Sequence, residues 1–314
     1  WVQGDRIEIS RNDSYWGNPV ALDSATFKFI SDPTAAFAAM MAGDLDAFPG
    51  YPAPETLPQF AADPRFTVIG GNTEGETILS TNNKDEHFSK LKVRKALAHA
   101  INRQEIIDGA MFGYGKPIGT HFAPHHPDYI DLTGNSNYDP ELSKKLLSEA
   151  GYPNGFETTL KLPPPSYARR GGEIIAAQLR AVGINAVISN LEWADWLKQV
   201  FKGKDYGLTI VSHTEPMDIG IYARPEYYFQ YDNPAFQQLM KDLTAESDPS
   251  ARSNMLKKAQ KIILKNSDCI VSKESEEIIK ERINNTKLQN NIVKKLGVNG
   301  ISKNQKFPRE FGEK

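Results

Sequence analysis

The sequence predicts an α/β protein. Three observations carry that expectation. Short strand-like runs alternate with helical patterns from one end of the chain almost to the other. Three Asp-Pro pairs, Asp32-Pro33, Asp139-Pro140 and Asp248-Pro249, each precede an apolar-periodic run, so the Asp serves as N-cap and the Pro as the first helical residue. The stretch Thr77–Met111 joins a strand-like run to two abutting helices. In it, Val93, Leu97, Ala100 and Ile101 recur at helical spacing, with Lys92, Arg94 and Lys95 off that face. Asn102 followed three residues later by Glu105 is a capping-box pattern, which starts a second helix.

In order along the chain, Asp5–Ser10 alternates and reads as a strand, as does Ala25–Ile30. A helix runs from Pro33 through the Ala-rich segment to Gly43, the residue type that tolerates a left-handed C-terminal position. Leu45–Phe48 is a short strand, Glu55–Ala61 a short helix, and Phe66–Ile69 another strand. Gly113–Asn137 is a long loop rich in Gly, Pro and His. Beyond it, the pattern gives a helix over 140–150, a strand over Thr158–Leu162, a helix over Glu173–Val182 and a strand over Ile184–Ser189. A helix over Trp193–Phe201 and a strand over Tyr206–Ser212 complete the alternation. A last helix follows Asp248-Pro249, with Met255, Ala259, Ile262 and Ile263 as its stripe.

Composition limits the function. With 314 residues, 39% of them hydrophobic, the chain has length for two lobes with cores of their own. No apolar run is long enough to span a bilayer, and the first residues lack the charged-then-apolar pattern of a secretory leader. The lone Cys269 excludes an internal disulfide and leaves the compartment open. Residues 251–314 hold 15 Lys+Arg against 7 Asp+Glu, net +8, so the rest carries −10. An acidic body argues against a nucleic-acid groove.

Chemistry-bearing residues are few. His121, His125 and His126 cluster in one loop and offer a metal set, but adjacent histidines in a Pro-rich loop are expected to be exposed, and no metal or cofactor is expected. Ser212-His213 with Glu215 and Asp218 contains the residue types of a hydrolase, without a nucleophile-elbow pattern or a reason for neighbours in sequence to adopt triad geometry. The richest segment runs from Ser212 to Tyr231. It lacks a regular period and gathers carboxylates, Arg224 and the tyrosines 222, 227, 228 and 231. Two readings stand open: a ligand wall of aromatic area with orienting polar groups, or a packed tyrosine-rich loop. Trp193 and Trp196 are expected in the core.

Three ordered segments resemble the family 5 extracellular solute-binding proteins, the peptide- and nickel-type receptors of bacterial ABC importers. They are Arg11–Gly17, Leu91–Arg103 and Tyr138–Phe156. The resemblance covers about residues 1–264. It implies a two-lobed periplasmic binding protein-like fold of type II, cluster C, with an incomplete first lobe. Residues 1–80 would be the later part of lobe one, 81–264 lobe two, and 265–314 a divergent basic tail. Such a receptor is a periplasmic, monomeric non-enzyme. It encloses a peptide or small solute, delivers it to a permease in the inner membrane, and binds no nucleic acid. A metal-chelate receptor using His121, His125 and His126, or a peptide hydrolase using His213 and Glu215, are the alternatives. The resemblance also implies an acidic contact for a ligand amine in the segment after the Tyr206–Ser212 strand. The local equivalents are His213, Glu215 and Asp218, with Arg224 for a ligand carboxylate and Tyr227, Tyr228 and Tyr231 as aromatic walls. The family's start and leader would then be missing here. After Leu264 an apolar strand returning to lobe one is expected in the family but not in this chain. Residues 278–296 read instead as a weak amphipathic helix in a tail open to proteolysis.

Overall fold

The computed structural model describes residues 1–214, 218–266 and 269–281. They fall into two compact units. The smaller takes in residues 1–48, 56–68 and, at the other end, 278–281; the larger takes in 49–55 and 69–277.

In the smaller unit, β1 (Arg6–Ser10) and β2 (Ser24–Lys28) pair antiparallel, Arg6 opposite Lys28 and Ser10 opposite Ser24. Asp32 then accepts a hydrogen bond from the Ala35 amide at 2.7 Å and starts α1 (Pro33–Ala42), which ends on Gly43 at φ 79°. β3 (Ala47–Phe48) is short. In α2 (Leu57–Ala62), Phe60 is fully buried and meets Phe37 and Phe66, with ring centroids 5.3 and 4.9 Å apart.

β4 (Phe66–Thr81) is one strand of 16 residues where the sequence reads as two. Gly70, Gly71 and Gly75 suggest a break, yet a β-ladder tolerates glycine wherever neighbouring strands supply the hydrogen bonds. After it come α3 (Leu91–Ala100) and α4 (Arg103–Met111). Asn102 caps α4 through the Glu105 amide at 3.4 Å. The reciprocal half of the capping box is absent, because the Asn102 amide donates to Gln178 Oε1 at 3.1 Å and Glu105 accepts from Gln178 Nε2 at 2.8 Å. Arg94, expected on the outer face, is buried and donates to the Phe88 and Ser89 carbonyls at 2.7 and 3.2 Å.

β5 (Gly115–Ile118) opens the segment expected to be all loop. α5 (Pro140–Glu149) starts at its Asp-Pro pair and leads to β6 (Phe156–Leu162). α6 (Ser166–Ala181) begins seven residues before the expected Glu173. Gly171-Gly172 sits inside it, at a propensity cost of about 1 kcal/mol per glycine. That cost accompanies close packing: a Cβ on Gly172 would lie 2.4 Å from a Leu162 methyl, and one on Gly171 3.6 Å from Ile106. Gly155 before β6 and Gly183 before β7 (Ile184–Asn190), at φ +75° and +95°, pass so closely that a Cβ on Gly155 would meet the Gly183 oxygen at 1.7 Å. α7 (Trp193–Trp196) continues as a π-turn over Leu197–Lys202, and β8 (Leu208–His213) comes next. α8 (Pro234–Ala245) was not expected, although Asn233-Pro234 obeys the same rule as the Asp-Pro pairs; Asn233 accepts from the Phe236 amide at 3.0 Å. α9 (Pro249–Asn266) and β9 (Cys269–Glu281) complete the described chain.

β9 corrects the expectation that no strand follows Leu264. Its Val271–Glu274 portion pairs with β5, and Ile279–Lys280 pairs with β3. Ile278 and Ile279 are thus strand residues, not helical ones. Partner strands decide the conformation of such a polar segment more than its own propensity does. Residues 282–314, and with them most of the expected tail helix, lie outside the described residues.

Within the larger unit the strand order is β9-β4-β8-β6-β7, with β5 beside β9. β4 and β8 are antiparallel, whereas β6 is parallel to both β7 and β8. This sheet has two unlike faces. Leu79, Leu160, Leu208 and Ile210 join Leu97, Ile101 and Leu179 of the helices in an aliphatic core. Val211 points to the other face and packs with Trp196, Tyr222, Tyr228, Phe229 and Phe236 in an aromatic one.

Candidate functional site

The aromatic face holds a buried polar cluster. Period-two alternation along β4 places Glu76, Ile78 and Ser80 on one side, and register puts Glu76 directly opposite His213 at the end of β8. The 3-10 turn Asp218–Ala223 brings in Asp218 and Tyr222, and the segment after β5 brings in His121. The side chains of His121, His213, Glu76 and Asp218 are 0%, 6%, 6% and 11% exposed. Four stretches separated by up to 142 residues thus meet in one place.

Asp218 is the hub. His121 Nε2 is hydrogen-bonded to its Oδ1, and His213 Nδ1 lies 2.9 Å from its Oδ2. Burial pushes the Asp218 carboxyl up, but the hydrogen bonds from the two imidazoles outweigh it and hold the group far below the usual carboxylate range. Burial likewise pushes His121 down, against the pull of Asp218, so the ring is neutral. An ionised carboxylate only accepts, so His121 Nε2 and His213 Nδ1 carry the protons in this network. In a neutral ring the other nitrogens are then acceptors. The Tyr222 hydroxyl donates to His121 Nδ1 at 3.3 Å, and the Tyr228 hydroxyl to His213 Nε2 at 3.1 Å. Ser80 Oγ in turn donates to the Tyr228 oxygen at 2.9 Å. Glu76 Oε2 stands 3.4 Å from His121 Nε2.

The residues singled out in the sequence separate accordingly. His213 and Asp218 come together as one unit. Glu215 lies outside the described residues. Arg224 is exposed. Tyr227 is half-buried against Phe201, ring centroids 5.6 Å apart. Tyr228 and Tyr231 are 1% and 4% exposed, as the packed-loop reading has it, and the Tyr231 hydroxyl accepts from Asn233 Nδ2 at 2.9 Å. Of the two tryptophans, Trp196 is buried and Trp193 is 43% exposed.

The three loop histidines do not converge, which corrects that metal set. His121 is buried in the cluster, His126 stacks on Phe122 at 4.2 Å with its Nδ1 accepting from the Asp128 amide, and His125 is exposed. Among the described residues, His213 has both ring nitrogens on Asp218 and Tyr228, and the Ser212 amide donates to the Tyr167 hydroxyl; Glu215, the other residue of the hydrolase reading, lies outside them. Sequence reasoning missed Glu76 and Ser80, and it named Tyr222 only as one tyrosine of the Ser212–Tyr231 segment. For the first two, the only signal is that they share the face of Ile78 on a strand whose partner was unknown.

Comparisons with known proteins agree with the fold. Residues 1–231 match the model of the bacterial extracellular solute-binding proteins, family 5 Middle. The chain is 30% identical over 205 residues to the heme-binding protein A of Haemophilus influenzae, covering 63% of this chain and 37% of that one. It is 29% identical over 209 residues to the dipeptide-binding protein of Escherichia coli, covering 65% and 39%. Among solved structures, the periplasmic binding protein DppA from Helicobacter pylori in complex with the peptide STSA superposes with a TM-score of 0.80 at 23% identity, covering 90% of this chain and 57% of that one. That 90% cannot be fitted within residues 1–264, so the likeness in fold runs on into the segment where the sequence resemblance was expected to end. The chain spans well under two thirds of the length of each of these proteins.

Proposed function

Since the chain belongs to family 5 of the bacterial extracellular solute-binding proteins, we propose that it captures a peptide or similar small solute in the periplasm and delivers it to the permease of an ABC importer. The observation that carries this reading is the family match over residues 1–231, on a chain of the same α/β periplasmic-binding-protein fold. A peptide is the solute class favoured by the relative named for dipeptides and by the solved structure holding a tetrapeptide. The residue chemistry is compatible. Arg224, exposed beside half-buried Tyr227, offers a planar fork for a carboxylate next to an aromatic face. Asp218 is a poor partner for a ligand amine, because both its oxygens already accept from imidazoles. In this reading Glu215 takes the amine instead.

The test uses the purified full chain. Small molecules released on denaturation are identified by mass spectrometry, and di- to tetrapeptides are titrated by calorimetry and recovered afterwards. We expect intact peptide and a saturable heat. Arg224→Lys should weaken binding about tenfold or more, since an ammonium cannot make the two-pronged contact. Cleavage of the peptide, or no heat with any peptide and no retained solute, would sink the proposal.

A further inference from the structure

We infer that His121, His213 and Asp218, with Glu76 beside them, form a closed site for one divalent transition-metal ion of the zinc-to-nickel class. One ligand atom from each of His121, His213 and Asp218 lies within 4.8 Å of the others. The donor set is two imidazoles and carboxylates with no thiolate, which suits zinc, cobalt and nickel better than copper(I) or calcium. Side chains this deeply buried match a structural ion rather than a catalytic one with an open position.

Three features of the cluster point to a cation. First, two carboxylates converge on a single nitrogen: Asp218 Oδ1 and Glu76 Oε2 both approach His121 Nε2. One N–H holds one proton and cannot serve two carboxylates equally. A dication at that nitrogen would take both carboxylates as oxygen ligands, a role that one shared proton cannot fill. Second, each imidazole has its far nitrogen on a tyrosine hydroxyl, Tyr222 for His121 and Tyr228 for His213. Such outer partners fix the orientation and tautomer of metal-bound histidines. Third, the hydrogen-bond chain is reversible. When the ion takes His121 Nε2 and His213 Nδ1, each ring proton moves to the far nitrogen. Those N–H groups then donate to the Tyr222 and Tyr228 oxygens, and Tyr228 donates to Ser80 Oγ. No proton is lost in the exchange, because each ring keeps its one proton and changes only the nitrogen that carries it.

The experiment strips the full chain with a chelator and titrates it with cobalt(II), followed by zinc(II) in competition. We expect one equivalent per chain, a visible spectrum of low-coordinate nitrogen/oxygen ligation, and X-ray absorption showing two imidazoles. His213→Gln and Asp218→Asn should each lower affinity at least about a hundredfold, while the double substitution His125→Ala/His126→Ala leaves it unchanged. Tyr222→Phe keeps the ring and removes only the outer partner, so it should cost about tenfold to a hundredfold. Lack of uptake by the folded, stripped chain would overturn the inference. So would ligation by fewer than two imidazoles, or loss of uptake in the His125/His126 variant alone. The wild-type spectra decide the matter even where a site variant does not fold. No peptide or other solute enters this assay, so its outcome is independent of the receptor proposal.

Discussion

Tyr228→Phe is a sharp test of the buried cluster, because it deletes one oxygen and leaves the ring. The hydroxyl it removes meets His213 Nε2 at 3.1 Å and Ser80 Oγ at 2.9 Å. His213 and Ser80 are 6% and 0% exposed, so water cannot replace the lost partner without rearrangement. Two neutral hydrogen bonds are worth about 1 kcal/mol each, and leaving buried groups unsatisfied raises the cost, so the loss should be about 2–3 kcal/mol. For a unit of this size that lowers Tm by roughly 5–10 °C. Tyr206→Phe is the matched control. Its hydroxyl donates to the Tyr228 carbonyl at 3.0 Å, and losing that bond should cost about 1 kcal/mol. Urea denaturation followed by tryptophan fluorescence measures both. A Ser80→Ala/Tyr228→Phe cycle should return a coupling of about 0.5–1 kcal/mol, since the two groups share one bond. If Tyr228→Phe costs no more than Tyr206→Phe, and the cycle shows no coupling, the relay from Ser80 to Asp218 is not formed.

Further outcomes are expected elsewhere in the larger unit. Gly155→Ala should destabilise by about 3 kcal/mol or more, because the new Cβ would lie 1.7 Å from the Gly183 oxygen at a left-handed φ, whereas Gly134→Ala, with no atom within 4 Å, should stay within about 1 kcal/mol; thermal denaturation of the two gives the comparison. Arg103 is 9% exposed and donates to the Ser136 carbonyl and hydroxyl at 2.8 Å each; burial alone pushes its guanidinium down to about 10, so it stays charged at neutral pH. Ser136→Ala should therefore cost about 1.5–3 kcal/mol, and an unchanged denaturation midpoint would show the contact to be dispensable. The side-chain hydrogen bond from Arg170 holds the Glu55 carboxyl below its usual range. A depressed folded-state pKa means the stabilisation is present above the unfolded value near pH 4.3 and is lost as pH falls through the folded one. Both side chains are about a third exposed, so the contribution is at most about 1 kcal/mol, and Glu55→Gln should flatten the stability profile below about pH 5 by no more than that.

Local chemistry alone determined much of this protein. The Asp-Pro pairs fixed three helix starts because a carboxylate beside a proline satisfies the first free amides wherever it occurs. Gly43 and Gly183 marked chain reversals because they adopt φ angles that other residues resist. Three motif segments were enough to point to the family. Everything that depended on a distant partner had to await the tertiary structure. β4 runs through its glycines, and β9 forms from a polar segment, because strand conformation is held by hydrogen bonds to neighbours that no local window contains. His121 reads as an exposed loop residue until the loop is laid over the sheet, and Tyr228 and Tyr231 read equally as wall or core until the aromatic face closes on them. The buried cluster is the extreme case. Glu76 and His121 have no sequence relation to the segment of His213 and Asp218, and only strand register, a 3-10 turn and a long connection bring the four side chains within reach.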